Sequence, residues 1–126
     1  MEFVAGLLLV FISILHIIYG EKKPVADVSR LTKDSILIGS IRVMSLQGGM
    51  LLFSVGLIHI LSFLKIVTLS GIAAFFPVGI VGLNLATFLL VTLVKHKKLI
   101  SVAAFQLVLF SAILVLQVIT LVRNFR

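Results

Sequence analysis

Cysteine and tryptophan are absent from this chain, proline occurs twice, and only four residues are acidic. Without cysteine there is no disulfide, no thiolate metal site, no iron–sulfur ligation and no dithiol redox chemistry. Without tryptophan, anchoring at a membrane interface falls to Tyr19, to some of the ten phenylalanines, and to lysine and arginine side chains that reach for water. Charge of either sign is scarce: 12% of the 126 residues are charged and 61% are hydrophobic. Soluble domains carry about 45–50% apolar and about 25% charged residues. A domain this small cannot hide the excess from water, which argues against the soluble enzyme classes. A membrane protein is expected.

What charge there is has a pattern. Eleven Lys and Arg against four Asp and Glu give +7, a balance that in a soluble chain would suggest nucleic acid. Here the charges sit between long apolar runs, so they read as membrane topology, and no nucleic-acid partner is expected. The uncharged runs cover residues 3–20, 43–64, 66–94 and 99–122. A hydrocarbon core of about 30 Å needs roughly 20 helical residues, so each run can cross once. The third is too long for one upright crossing, and residues 66–70 are expected to form a tight turn before it. The expected fold is all-α, a single polytopic four-transmembrane-helix bundle packed up-down-up-down. Its helices are expected at about 3–20, 36–64, 71–94 and 99–122.

The direction of the chain follows from Lys and Arg. One face collects Lys22, Lys23, Arg30, Lys33, Arg42, Lys95, Lys97 and Lys98; the other has Lys65, Arg123 and Arg126. The positive-inside rule puts the basic loops in the cytoplasm and both termini outside. Glu2 stands where a signal peptide would be basic and no small-residue cleavage site follows, so the first helix is expected to be retained. The segment 20–35 carries turn and capping residues, Pro24, Asp27, Ser29 and Asp34. Asp34 or Ser35 is expected to cap the second helix.

Polar groups inside apolar helices are costly and usually face the protein interior. In the first span Gly6, Ser13, His16 and Gly20 fall on one stripe, with Tyr19 and Glu21 at its end. Arg42 opens the second span, followed by Ser45, Gln47, Gly48 and Gly49, with Gly56 and His59 further along. Ser45, Gly49 and Gly56 have the small-residue spacing that lets helices approach closely. Pro77 in the third span is expected to break or kink the helix on its N-terminal side, freeing the carbonyl of Ala73. Asn84 should find an interhelical partner. Gln106 and Gln117, eleven residues or about three turns apart, point the same way.

Depth arithmetic gathers His16, Tyr19, Glu21, Arg42, Gln47, Asn84 and Gln106 toward one end, and His59 and Gln117 toward the other. The first set is the expected ligand or ion-path site. Glu21 and Arg42 should pair, with His16 and Gln47 beneath them. His16 and His59 fall roughly 15 Å apart along the membrane normal, too far to share one haem iron within the chain. No metal or cofactor is expected, since no i, i+3 or i, i+4 ligand pair occurs.

The stretch Leu15-His16-Ile17-Ile18-Tyr19-Gly20-Glu21, followed by Arg42 at the head of the next helix, resembles a group of small uncharacterised bacterial four-helix membrane proteins. The likeness covers the first half of the chain. It implies the same fold and topology and a bacterial or archaeal plasma membrane, and it implies no activity. The aromatic-His pair that follows the Arg in that group is replaced here by Ser45, Leu46 and Gln47. Small multidrug transporters fit less well, because no carboxylate lies between Glu2 and Glu21.

Three functions are weighed. One is a non-enzymatic module in the lipid bilayer, either an accessory or assembly subunit or a lipid- or quinone-type ligand binder, self-associating or paired with another membrane subunit. Another is a small oligomeric transporter or channel entered through the polar cluster on the cytoplasmic side. The third is a membrane enzyme using His16 and Glu21, for which no nucleophile or cofactor motif is present.

Overall fold

The fold is seen in a computed structural model, which describes residues 1–94, 100–101 and 103–124. Helix α1 is Glu2–Gly20, α2 is Ala26–Leu31, α3 is Ser35–Phe63, α4 is Phe76–Val94 and α5 is Ala104–Asn124. Four helical stretches are long and apolar enough to cross a membrane: Glu2–Leu31, Ser35–Phe63, Gly71–Val94 and Ala104–Arg123. The basic loop 95–98, the expected start of the last helix at Leu99, and Arg126 lie outside the described residues.

The first helix does not end at Gly20. It runs on through a π-helical turn, Glu21–Val25, directly into α2. Pro24 sits inside that turn. Proline in an α-helix loses an amide and clashes with the carbonyl four residues back; a π turn widens the backbone there and relieves both. The segment 20–35 is thus mostly helical, and its loop is reduced to Thr32, Lys33 and Asp34. Within it Thr32 Oγ1 accepts from the Asp34 amide at 3.1 Å. Asp34 caps α3, accepting from the amides of Ile36 at 2.9 Å and Leu37 at 3.3 Å. A side-chain oxygen here satisfies amides that have no partner within the helix.

The other end of α3 closes with a Schellman motif. The Ile66 amide donates to Leu61 O and the Lys65 amide to Ser62 O, both at 3.0 Å. That geometry needs a left-handed residue, usually glycine, and here Lys65 takes it at φ 58°. A 3₁₀ segment, Gly71–Phe75, then leads into α4. Pro77 stands in the first turn of α4, where a missing amide costs nothing. The helix changes type between Phe75 and Phe76, immediately before Pro77. The Ala73 carbonyl is used by the Phe76 amide.

Helices α1 and α3 form the closest pair, antiparallel along their length. Gly6, Ser13 and Gly20 recur every seven residues on α1, and Gly49 and Gly56 on α3, so each set stays on one face over two turns. A Cβ on Gly56 would come within 2.9 Å of both Gly6 O and Val10 N, and one on Gly20 would collide with Ser45. Backbone meets backbone here, as small residues allow. Helices α4 and α5 pack on this pair more loosely. Leu9, Ile12, Leu52, Val55, Val81, Phe110 and Ile113, from all four long helices, form the buried layer at mid-height. Below we call the end near the Thr32–Asp34 loop the hairpin end, and the end holding Glu2 and the last turns of α5 the terminal end. Phe3 and Phe63 close the α1–α3 pair at the terminal end, with ring centroids 5.1 Å apart.

Candidate functional site

Several hydroxyls in the apolar helices turn back onto their own helix and so need no partner from elsewhere. Ser13 donates to Val10 O at 2.7 Å, Thr92 to Phe88 O at 2.8 Å, and Thr120 to Leu116 O at 2.9 Å. This local bonding lets a small polar residue sit in apolar surroundings at little cost. The amides and imidazoles cannot all do the same, and they mark two places.

At the hairpin end, a hollow of about 140 Å³ lies between α1, α3, α4 and α5. His16 enters it from α1, Asn84 from α4 and Gln106 from α5, and the walls are Leu52, Leu85, Phe88, Leu107 and Phe110. His16 lies against Gly48; a Cβ there would stand 3.1 Å from its Nε2. A second hollow of about 290 Å³ adjoins the first and shares His16, Phe88, Ala103 and Gln106 with it. Tyr19, Leu15, Phe105 and Leu109 line its outer part. Among the described residues neither hollow is lined by a charged side chain. Among the described residues, neither the His16 ring nor the Gln106 amide makes a hydrogen bond within the protein. Asn84 spends one amide hydrogen on the Ile80 carbonyl of its own helix, at 2.9 Å, in place of the expected partner on another helix.

Glu21 and Arg42 pair as expected: Arg42 Nε lies 2.9 Å from Glu21 Oε1 and 3.2 Å from Oε2. Both side chains are well exposed, 40% for Glu21 and 49% for Arg42, and neither lines a hollow. Gln47 does not join them. It is exposed and lies outside both hollows, so the expected four-residue cluster divides. The reason is angular: at 100° per residue Gln47 lies about 200° round the helix from Ser45, which faces α1. Tyr19 is 52% exposed, at the rim of the larger hollow.

At the terminal end, His59 and Gln117 are both buried, and Gln117 Nε2 lies 2.7 Å from His59 Nε2. With the amide nitrogen donating, the ring nitrogen accepts. The sequence places both residues in the same half of the bundle without joining them, since the pair spans 58 positions. A readable signal exists, because Gln106, Phe110, Ile113 and Gln117 share one face of α5. Gln106, Phe110 and Gln117 all turn inward, as their spacing requires. No family model matches this chain, and no curated protein or solved structure is found to be similar to it.

Proposed function

We propose that this chain crosses a membrane four times and acts as a non-enzymatic module. In this reading it holds the polar head of a neutral lipophilic molecule, lipid- or quinone-type, in the hairpin-end hollow. One observation carries it: His16 and Gln106, on different helices, turn toward one hollow with their hydrogen-bonding atoms uncommitted. Both are half-buried, and a hydrogen bond to a ligand would be worth about 0.5–1.5 kcal/mol to each. A ligand carbonyl or hydroxyl would satisfy His16, Gln106 and the free amide hydrogen of Asn84. Phe88 and Phe110 would flank its ring, and the adjoining hollow would take its apolar tail. The described lining of both hollows is neutral, which supports a neutral head over a phosphate.

Catalysis is disfavoured because Glu21, the acid nearest in sequence to His16, is tied to Arg42 outside the hollow. Conduction through one chain is disfavoured by the apolar layer from Leu9 to Ile113, which separates the two polar ends. The basic residues of α2 and its loop favour the hairpin end in the cytoplasm and both termini outside.

Binding of a short-tailed benzoquinone to the detergent-solubilised protein, followed by quenching of Tyr19 fluorescence, tests the reading. His16→Phe and Gln106→Leu should each weaken it about tenfold, the worth of one hydrogen bond of about 1.4 kcal/mol. Gln47→Leu should leave it unchanged. Equal binding by all four proteins would sink the proposal. Labelling of single cysteines at Ser29 and at the C-terminus with an impermeant reagent in intact cells tests the orientation. Reaction at Ser29 with protection of the C-terminus would reverse it.

A further inference from the structure

Helix α3 carries two seams, on opposite faces. The inner one, Ser45, Gly49, Leu52, Gly56 and His59, steps by four and three residues and is covered by α1. On the far side Ser40, Val43, Gln47, Met50, Ser54 and Leu57 step by three and four, and all six are exposed. Both seams thus repeat every 3.5 residues, the spacing of helices that coil left-handedly round one another. The inner seam has its partner within the chain. The outer seam has none among the described residues.

Polar residues recur on the outer seam at every seventh position. Ser40 and Ser54 are satisfied locally, donating to Ile36 O at 2.8 Å and to Met50 O at 2.9 Å. Gln47 is not, for its amide makes no hydrogen bond with any described residue. It stands four residues, or about 6 Å, inside the uncharged run that starts at Val43. At that depth an amide facing lipid gives up water, and lipid tails offer it neither donor nor acceptor.

We propose that the outer seam binds a second copy of this chain, α3 against α3, with the two Gln47 amides bonded to each other. This rests on the membrane-crossing part of the function proposed above, since both copies then insert with the same orientation. A twofold axis along the membrane normal relates such copies face to face, so each residue of the seam meets its own equivalent at its own depth. That geometry calls for side chains complementary to themselves. A carboxamide is one, because its nitrogen donates and its oxygen accepts, whichever way each amide is turned. A lysine or glutamate at position 47 would instead repel its copy. Ser40 and Ser54 are small enough to let the backbones approach, while Val43, Met50 and Leu57 fill the alternate positions. One polar residue among apolar ones also fixes the register of paired helices.

The chain has no cysteine, so single cysteines introduced into it report contacts between copies cleanly. In native membranes treated with an oxidant, Val43→Cys, Met50→Cys and Leu57→Cys should form disulfide-linked dimers. Met44→Cys lies about 90° round the helix from the seam, and Leu83→Cys lies on α4. Both positions are well exposed, and both variants should cross-link at most about one-tenth as much. Dilution of the purified protein into detergent, followed by energy transfer between labelled copies, measures the amide. Gln47→Leu should raise the dimer Kd about tenfold, the equivalent of about 1.4 kcal/mol for one interhelical hydrogen bond, and Gln47→Asn should raise it less. Equal cross-linking at all five positions, or none at any, would overturn the proposal and leave Gln47 among lipid headgroups. Cross-linking strongest at Leu83 would overturn the location, and a Kd unaltered in Gln47→Leu would overturn the role of the amide. A wrong topology would show separately in the labelling with an impermeant reagent, and no quinone enters this test.

Discussion

His16 and His59 sit toward opposite ends of the same helix pair and have opposite fates. His59 is 6% exposed and bonded to Gln117; His16 is half-buried, bonded to none of the described residues, and open to a hollow. The difference comes from what faces each ring. Gly6 and Gly56 draw α1 and α3 together beside His59, and α5 follows closely enough to deliver Gln117. Beside His16 the same pair is close, but Ala103 and, on α5, Gln106 stand back across a hollow of about 140 Å³. One histidine has the partner that packing supplies. The other waits for a partner that packing leaves out.

The largest effect on this contrast should come from the helix seam. Gly56→Val sets new atoms against the backbone of Gly6 and Val10, which cannot yield, and should destabilise by about 3 kcal/mol or more, at the severe end of single substitutions. Gly39→Ala and Gly79→Ala meet nothing within 4 Å, and by helix propensity should stabilise by up to about 1 kcal/mol. Reversible unfolding in mixed micelles measures both. If Gly56→Val were as stable as Gly79→Ala, the seam would not be what closes the terminal end.

Next in size is the removal of each amide. Gln117→Leu leaves a buried His59 nitrogen unpaired and should cost about 1–3 kcal/mol. Adding His59→Phe should recover part of that loss, since neither partner is then stranded. Gln106→Leu, which strands nothing, should leave stability unchanged or improve it slightly. Equal losses from the two glutamines would erase the distinction between the ends.

The exposed ion pair should matter less. Arg42→Ala should cost no more than about 1 kcal/mol, and 1 M salt should reduce even that. A loss much above this would mean that Arg42 contacts the hollow after all. The smallest change is at the turn: Lys65→Gly relieves a left-handed lysine and should stabilise by about 0.5–1 kcal/mol. A loss there would show that the lysine head contributes more than its backbone strain costs.

How far the sequence could be read depended on the range of the interaction. Hydropathy runs and local caps lie within a few residues of one another, so the four long helices and the Asp34 cap were legible. So was the Glu21–Arg42 pair, because the apolar runs of α1 and α3 meet charged residues at these two positions, on the same end of the bundle. Depth alone puts Gln47 with the polar end, but angle does not; the inward set Ser45, Gly49, Leu52, Gly56 and His59 excludes it on spacing. The His59–Gln117 contact depends on how α5 leans against α3, which no spacing within either helix encodes. Asn84 illustrates a competition: its own Ile80 carbonyl is always within reach, and α5 at that height is not.

The turn at Glu21–Val25 has a bearing on how the chain tolerates changes in length. At 100° per residue, five steps of α-helix from Gly20 would carry Val25 about 140° away from the face that meets α3, and Lys23 would approach that face instead. Yet Val25 is 2% exposed and Lys23 is exposed. The π turn has absorbed one residue, so four effective steps, about 400°, return Val25 to within about 40° of the face. The turn is an insertion already accommodated. Deleting Lys22 should therefore convert it to plain α-helix with Val25 still inward, at the cost of about 3 kcal/mol for a Pro24 now inside an α-helix. Deleting Ile14, by contrast, would rotate His16, Gly20 and all that follows off α3. The same loss of one residue, eight positions apart, should keep the buried face in register in one place and turn it away in the other.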